Sequence, residues 1–357
     1  MFADGAPLTD SIDAITHTVS RFNRFGPARR RWMLPVYPAA VADLSRNLAR
    51  DHAREPFDAV LSTSSAAIKS LRPPGGVPHL CYCHSPARYI WSQRRAYGGR
   101  SLRGRVRSGA LAAVSPVYRR WDRATAGRVT QFVANSTHTA REIKRCFGRD
   151  SIVIHPPVRT DVFTLDSNVA REGFWLVAGA LEPYKRVDLA IRAARLAGRD
   201  LVIAGSGTAE HELRALAEGH SAGPSTSSKP RSEIRFVGRV DDGALRDLYR
   251  RAAVMLYPQI EDFGITSVEA QACGCPVAAR GRGGALDSVI PGETGALAEP
   301  QAADEELASD LARAGLEAEG ARPEACRRNA ERFSERRFDA AIAEAVRSTL
   351  GTRRNTS

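Results

Sequence analysis

Two glutamates eight positions apart, Glu261 and Glu269, flank a Phe263-Gly264 pair where a helix is predicted to begin. Apolar Val254-Met255-Leu256-Tyr257 runs just ahead of them, so the stretch reads as strand, loop and helix start. Such a start is an anion site. The first-turn N–H groups lack partners inside the helix, and the helix dipole points the same way. Glu261 precedes that turn, and Glu269 lies about 7 Å further along the axis. A carboxylate accepts two hydrogen bonds from neighbouring hydroxyls, so a diphosphate with one glutamate per flanking sugar is the chemistry this spacing offers. In isolation the plainer reading is two solvated surface carboxylates, and the surrounding chain has to decide.

The elements that would position these residues are legible from residue 174 onward. Strands are predicted over 174–181, 200–204, 234–237, 254–257 and 276–279, alternating with helices over 187–197, 210–218, 241–251 and 264–273. Short apolar runs alternating with helices imply an α/β fold with a parallel sheet covered on both faces. Ligands of such sheets bind at the carboxyl ends of the strands. The loops 179–185, 205–207, 238–239 and 261–269 all fall there. They supply Gly179, Lys185, Arg186, Gly205, Gly207, Gly238, Arg239, Glu261, Phe263, Gly264, Ile265 and Glu269 as candidates. Residues 1–165 carry fainter α/β signs, with strands predicted at 59–62, 79–83, 131–135 and 152–154. The expected organisation is a first domain over 1–165 and a second over 166–330 with a flexible insertion at 219–231. A C-terminal helix within 331–357 is expected to pack back on the first domain, followed by a polar tail.

At 357 residues the chain is long enough for two α/β domains. No apolar run reaches the ~20 residues that span a bilayer, and no signal peptide opens the chain, so it reads as cytoplasmic. Its six cysteines lack metal or redox spacing and read as small buried hydrophobes. The net charge of +12 is uneven: residues 1–165 carry +15 and the remainder −3. An acidic partner is implied, either an anionic membrane surface or a phosphate-bearing substrate. No nucleic-acid motif accompanies the charge, and no nucleic-acid partner is expected. The stretch from Arg94 to Arg128 holds ten arginines interleaved with apolar residues. It reads either as a basic amphipathic surface docking on the inner face of a membrane or as a solvated helix packed on its domain.

Three passages in order, CYCHSPARYIW (81–91), VAGALEPYKRVDLAI (177–191) and FVGRVDDGALRDLYRRAAVMLYPQIEDFGITSVEAQACGCPVAA (236–279), resemble the retaining family 4 glycosyltransferases. The likeness is greatest to the bacterial branch that uses GDP-mannose for surface polysaccharides. The resemblance implies a GT-B fold, two Rossmann-like doubly wound domains facing across a cleft. It implies transfer of a hexose, with retention, from a nucleotide sugar to a saccharide or polyprenyl-diphosphate-linked acceptor. GDP-mannose is the expected donor and a UDP-hexose the alternative. No separate cofactor is implied. With no D-x-D motif, metal-independent transfer is expected.

Matching positions inherit roles from that resemblance. Glu261 would hold hydroxyls of the transferred sugar, and Glu269 the nucleotide ribose. Backbone N–H groups around Phe263, Gly264 and Ile265 would meet the diphosphate, with Lys185 and Arg186 neutralising the leaving group. Gly238 and its neighbours would pack the base. His84, on the first domain, would face the donor sugar, and Arg88 would serve acceptor phosphate or sit on a solvated face. Taken alone, His84 reads first as a core histidine, and the plain alternative for Lys185 is a solvated charge; the motif shifts both towards the site.

Two departures stand out. Residues 1–40 show neither the opening strand nor the Gly-rich loop of such a domain, as if a segment were missing. Ala180 stands where many relatives carry an arginine. Two rival readings also remain. Gly205-Ser206-Gly207 after a strand suggests a nicotinamide-dependent oxidoreductase, although Glu210 occupies the third glycine position. A degenerate, non-catalytic GT-B scaffold is the other.

Overall fold

A computed structural model describes residues 36–64, 66–91, 102–219, 232–299 and 303–354. The chain forms two compact units. One takes the described residues through His155 together with those from Phe338 onward; the other is Pro156–Arg337. Most of the unusual opening stretch 1–40, and nearly all of the predicted insertion 219–231, lie outside the described residues.

The first unit runs α1 (Tyr37–Arg54), β1 (Val60–Ser64), β2 (His79–Cys83), α2 (Leu102–Thr125), β3 (Gln131–Ala134), α3 (Thr137–Phe147) and β4 (Ser151–Val153). Its described strands form a parallel sheet in the order β1-β2-β3-β4. Among the described residues this sheet follows sequence order and contains no reversal of winding. Both faces are covered, as the apolar run His79–Cys83 requires. Leu80 and Tyr82 turn towards Phe338 and Ile342 of the C-terminal helix. Cys81 and Cys83 turn towards Ile143, Cys146 and Phe147 of α3. Helix α3 starts where Ser136 accepts a hydrogen bond from the Thr139 N–H at 3.0 Å, and it stops at Gly148 in the left-handed region. Helix α2 is held by a buried Lys69–Asp122 ion pair of 2.8 Å.

The second unit runs β5 (Trp175–Ala178), α4 (Val187–Ala197), β6 (Leu201–Ala204), α5 (Glu210–Gly219), β7 (Ile234–Gly238), α6 (Asp242–Arg251), β8 (Val254–Tyr257), α7 (Ile265–Ala272), β9 (Val277–Arg280), β10 (Gly295–Ala298), α8 (Asp304–Ala318) and α9 (Pro323–Ala330). The strand order is β10-β9-β8-β5-β6-β7, all parallel. This is the doubly wound arrangement, with its winding reversing between β5 and β8, and such a point opens a crevice at the carboxyl strand ends. Alternation along the strands builds two cores. Trp175, Val177, Val254 and Leu256 pack with α4 and α8. Leu176, Ala178, Met255 and Tyr257 pack with α6 and α7.

Several elements differ from expectation. The boundary falls at Pro156 rather than after residue 165, because Val158 and Phe163 enter the second core beside Phe174. Arg327 fastens that segment, donating to the Thr160 and Phe163 carbonyls at 2.8 Å each. Residues 331–337 also stay with the second unit, through Phe333 in the same core. Only from Phe338 does the last helix, α10 (Glu335–Arg354), belong to the first. The strand predicted at 174–181 ends at Ala178, where the chain turns into a loop. Strand β10 was not anticipated: Gly295-Ala296-Leu297-Ala298 contains no β-branched or aromatic residue.

Candidate functional site

Strands β5 and β8 put their carboxyl ends side by side, and the sharpest cluster of site residues lies there. Lys185 ends a single 3-10 turn after β5, and its ammonium binds Glu261 Oε1. The other carboxylate oxygen of Glu261 accepts from the hydroxyl of Tyr257, the last residue of β8. Glu261 is 21% exposed and Lys185 15%, so both are reachable yet held. Behind Glu261, the Gly284 N–H donates to its backbone carbonyl at 2.9 Å.

Helix α7 begins just past this loop. Gly264 is its N-cap with φ +92, and no side chain caps the helix. The Ser267 N–H donates to the Gly264 carbonyl at 3.1 Å, while those of Ile265 and Thr266 come before the first intrahelical acceptor. Phe263 is a core residue, its ring against Phe333 at 5.4 Å, and Ile265 is exposed. Any ligand contact at these positions is thus expected from backbone rather than from the Phe263 ring. The helix is fixed by a buried polar network. Gln271 donates to the Ser288 carbonyl at 2.9 Å, and Asn329 donates to Gln271 Oε1 at 2.7 Å and to the Ser288 carbonyl at 2.8 Å.

Glu269 faces a drier setting on α7 and is 9% exposed. Burial pushes its carboxyl up to about 7, Arg159 opposes that rise, and Asp242 adds to it. Arg159 and Asp242 form their own ion pair at 2.8 Å.

Other predicted residues take different places. Arg186 is the one non-glycine residue with positive φ among those described, +53. Its guanidinium is bound by Asp188 at 3.0 Å and Asp304 at 2.8 Å, so two carboxylates already engage the charge expected to help the diphosphate. Gly205 and Gly207 meet protein backbone instead of open space. A Cβ at Gly205 would overlap the Gly179 carbonyl, and one at Gly207 would overlap the backbone of Leu181. They are glycines because the loops after β5 and β6 lie against each other, joined where the Leu181 N–H donates to the Ser206 carbonyl at 3.0 Å. This accounts for the apparent dinucleotide pattern. Gly179 and Gly238 stand at the ends of β5 and β7, and the Gly238 carbonyl accepts from the Gly205 N–H at 2.7 Å. Arg239, next to it, and Ala180 are exposed.

In the first unit His84 follows β2, edge-on to Tyr82 at 5.2 Å. Desolvation by the surrounding protein lowers its pKa, so the imidazole is neutral at pH 7. The backbone N–H of His84 donates to the Ser64 carbonyl at 2.7 Å, and its backbone carbonyl accepts from the Thr139 hydroxyl at 3.3 Å. Arg88 begins a single helical turn, Arg88–Trp91. Part of the expected basic docking surface turns inward: Arg119 donates to the Ile90 carbonyl, Arg123 to that of Cys146 and Arg128 to that of Ser70. Arg94, Arg95 and Arg100 lie outside the described residues. Among the described residues no helix is long and apolar enough to cross a membrane.

Sequence reasoning missed Tyr257, Gln259 and the Gly283-Gly284 loop. Only the last left a signal: a glycine-rich run directly after the predicted strand 276–279, at the carboxyl edge of the sheet.

Residues 2–162 match the family model described as Glycosyltransferase Family 4, and residues 166–333 match Glycosyl transferases group 1. A D-inositol 3-phosphate glycosyltransferase 2 of Catenulispora acidiphila is 34% identical over 194 residues, 47% of this chain and 44% of that protein. The D-inositol 3-phosphate glycosyltransferase of Geodermatophilus obscurus is 33% identical over 244 residues, 60% of this chain and 51% of that protein. The chain spans about half the length of these curated relatives. Among solved structures, sucrose-phosphate synthase from Thermosynechococcus elongatus superposes with a TM-score of 0.67 at 18% identity, covering 96% of this chain and 86% of that one. Anabaena HepE in complex with UDP-glucose gives 0.56 at 18%, covering 92% and 84%. At that identity the likeness shows the fold alone. With two parallel-sheet α/β units and both family models matched in order, the chain belongs to the GT-B glycosyltransferases, joining a family 4 domain to a group 1 domain.

Proposed function

We propose that this chain transfers a hexose from a nucleotide sugar to a saccharide or lipid-linked acceptor, with retention of configuration. The carrying observation is the convergence of Lys185, Glu261 and an uncapped helix start at the carboxyl ends of β5 and β8. Cleaving a sugar from a nucleoside diphosphate requires charge to be stabilised on the departing phosphate. Lys185 and the first-turn N–H groups of α7 supply that stabilisation. Glu261 holds hydroxyls of the moving hexose, and Glu269 accepts from the ribose hydroxyls. Neutral His84 is the first unit's own candidate for hydrogen bonding to a sugar hydroxyl. The leaving phosphate itself assists deprotonation of the acceptor on the same face, so Glu261 is not a nucleophile.

GDP-mannose is the donor that the sequence resemblance favours. A UDP-hexose is the second reading, favoured by the UDP-bound solved structures of similar fold. Work in polysaccharide or glycolipid synthesis would bring the chain to an anionic membrane surface, a contact supported by the +15 charge of residues 1–165.

Thermal stabilisation by GDP, GDP-mannose, UDP, UDP-glucose and NAD tests the reading, since a ligand that binds only the native state raises the melting midpoint. A shift with one nucleotide family names the base. Nucleoside diphosphate is then expected to be released only when acceptor is added, with D-inositol 3-phosphate, the substrate in the relatives' names, among those tried. Glu261→Ala is expected to abolish that release while keeping the fold. A shift with NAD alone, or unchanged turnover in Glu261→Ala, refutes the assignment. Partner binding with no turnover favours the scaffold reading.

A further inference from the structure

Tyr257 ends β8 with its side chain inside the second unit, 1% exposed. Strand alternation puts it on the same face as Met255, towards α7. A phenol hydroxyl buried without a partner is costly. This one donates to Glu261 Oε2 and is itself hydrogen-bonded by Gln259, which is 5% exposed. The reach is possible because residue 264 has no side chain. A Cβ on Gly264 would overlap the Tyr257 hydroxyl.

We propose that Tyr257 is a positioning residue for Glu261, and that Gly264 is the gap admitting its hydroxyl. The proposal rests on the hexosyltransferase reading of Glu261. A free glutamate side chain samples many rotamers, whereas one gripped at both oxygens presents a fixed carboxylate plane. The two grips differ in kind. Lys185 is the cation required by the departing diphosphate, so donor phosphate and Glu261 compete for it. Tyr257 is 1% exposed and uncharged, so it offers the diphosphate no cation to draw away. Tyr257 therefore keeps Glu261 aimed while Lys185 turns to the leaving group. Burial and the neighbouring carboxylate raise the phenol pKa far above its ordinary value, so it remains a donor throughout the working pH range.

Tyr257→Phe retains the ring and removes only the hydroxyl. Two readouts on the full chain test the role: steady-state turnover of the nucleotide sugar, and thermal stabilisation by nucleoside diphosphate compared with the intact nucleotide sugar. The expected result is a fall in kcat of about 10²-fold, the scale of a misplaced reacting group, with a smaller rise in the donor KM as the sugar's own contribution to binding is lost. Stabilisation by UDP or GDP is expected to persist, and the additional shift contributed by the sugar to be lost. Gly264→Ala is expected to cost less in the Tyr257→Phe background than in the wild type, since its methyl would meet the hydroxyl. A Tyr257→Phe enzyme with wild-type kcat and a wild-type sugar-dependent shift overturns the positioning role. Equal losses from Gly264→Ala in both backgrounds overturn the role given to the glycine. Absence of any nucleotide shift and of turnover in the wild type is a different outcome. It removes the hexosyltransferase reading and this inference with it.

Discussion

Glu261 and Glu269 carry the same functional group in opposite settings. Glu261 is gripped at both oxygens by Lys185 and Tyr257. Glu269 is nearly enclosed, and burial raises its carboxyl from 4.5 to about 7. Below pH 4.5 the residue is protonated in both folded and unfolded chains. As pH rises to about 7 the unfolded chain ionises first, so the stability associated with the raised pKa is lost across that window. Ribose hydroxyls donate to a carboxylate, so nucleotide binding favours the ionised form. Nucleotide affinity is therefore expected to rise between pH 6 and 8, and Glu269→Gln to flatten that dependence while stabilising the ligand-free protein above pH 7. Titration calorimetry with the active nucleoside diphosphate at pH 6, 7 and 8 measures the first effect, and melting at pH 8 the second. A dependence that survives in Glu269→Gln assigns it to another group.

Between the residue and the fold stand the elements that hold α7 in place. Asn329→Ala removes two donated bonds: Gln271 Oε1 loses its donor, and the Ser288 carbonyl keeps only the one from Gln271. The cost is expected at about 1–3 kcal/mol, read as a lower denaturant midpoint with unchanged slope, together with weaker nucleotide binding. At this scale much was legible in the sequence. Strands such as Val254–Tyr257 are buried on both faces and read as continuous apolar runs, and the Gly264 helix start carries its own signal. What escaped depended on spatial neighbours. Gly205 and Gly207 looked like phosphate-loop glycines, but the backbone they approach belongs to a loop more than twenty residues earlier. Arg119, Arg123 and Arg128 looked like surface charge, yet they satisfy carbonyls of distant segments. Tyr257 looked like one more apolar strand residue, because its partner is fixed only when the loop folds back.

The whole molecule is built from a first unit that the chain leaves at His155 and re-enters at Phe338. Residues Phe338 and Ile342 complete the core over Leu80, Tyr82 and Val133. A chain ending at Arg337 is therefore expected to lose the first unit's cooperative melting while keeping the second unit's nucleotide-dependent shift; calorimetry with and without nucleotide distinguishes the two transitions. The six cysteines, all buried and free, have a related consequence. Burial pushes the thiols of Cys81 up to about 11 and of Cys146, Cys273 and Cys326 up to about 12, so none of these four is a reactive thiolate in the folded protein. Cys81, Cys83 and Cys146 belong to one unit, and Cys273, Cys275 and Cys326 to the other. An alkylating reagent can therefore mark a cysteine only when its own unit opens. The chain carries, in its native residues, a separate clock for the breathing of each half.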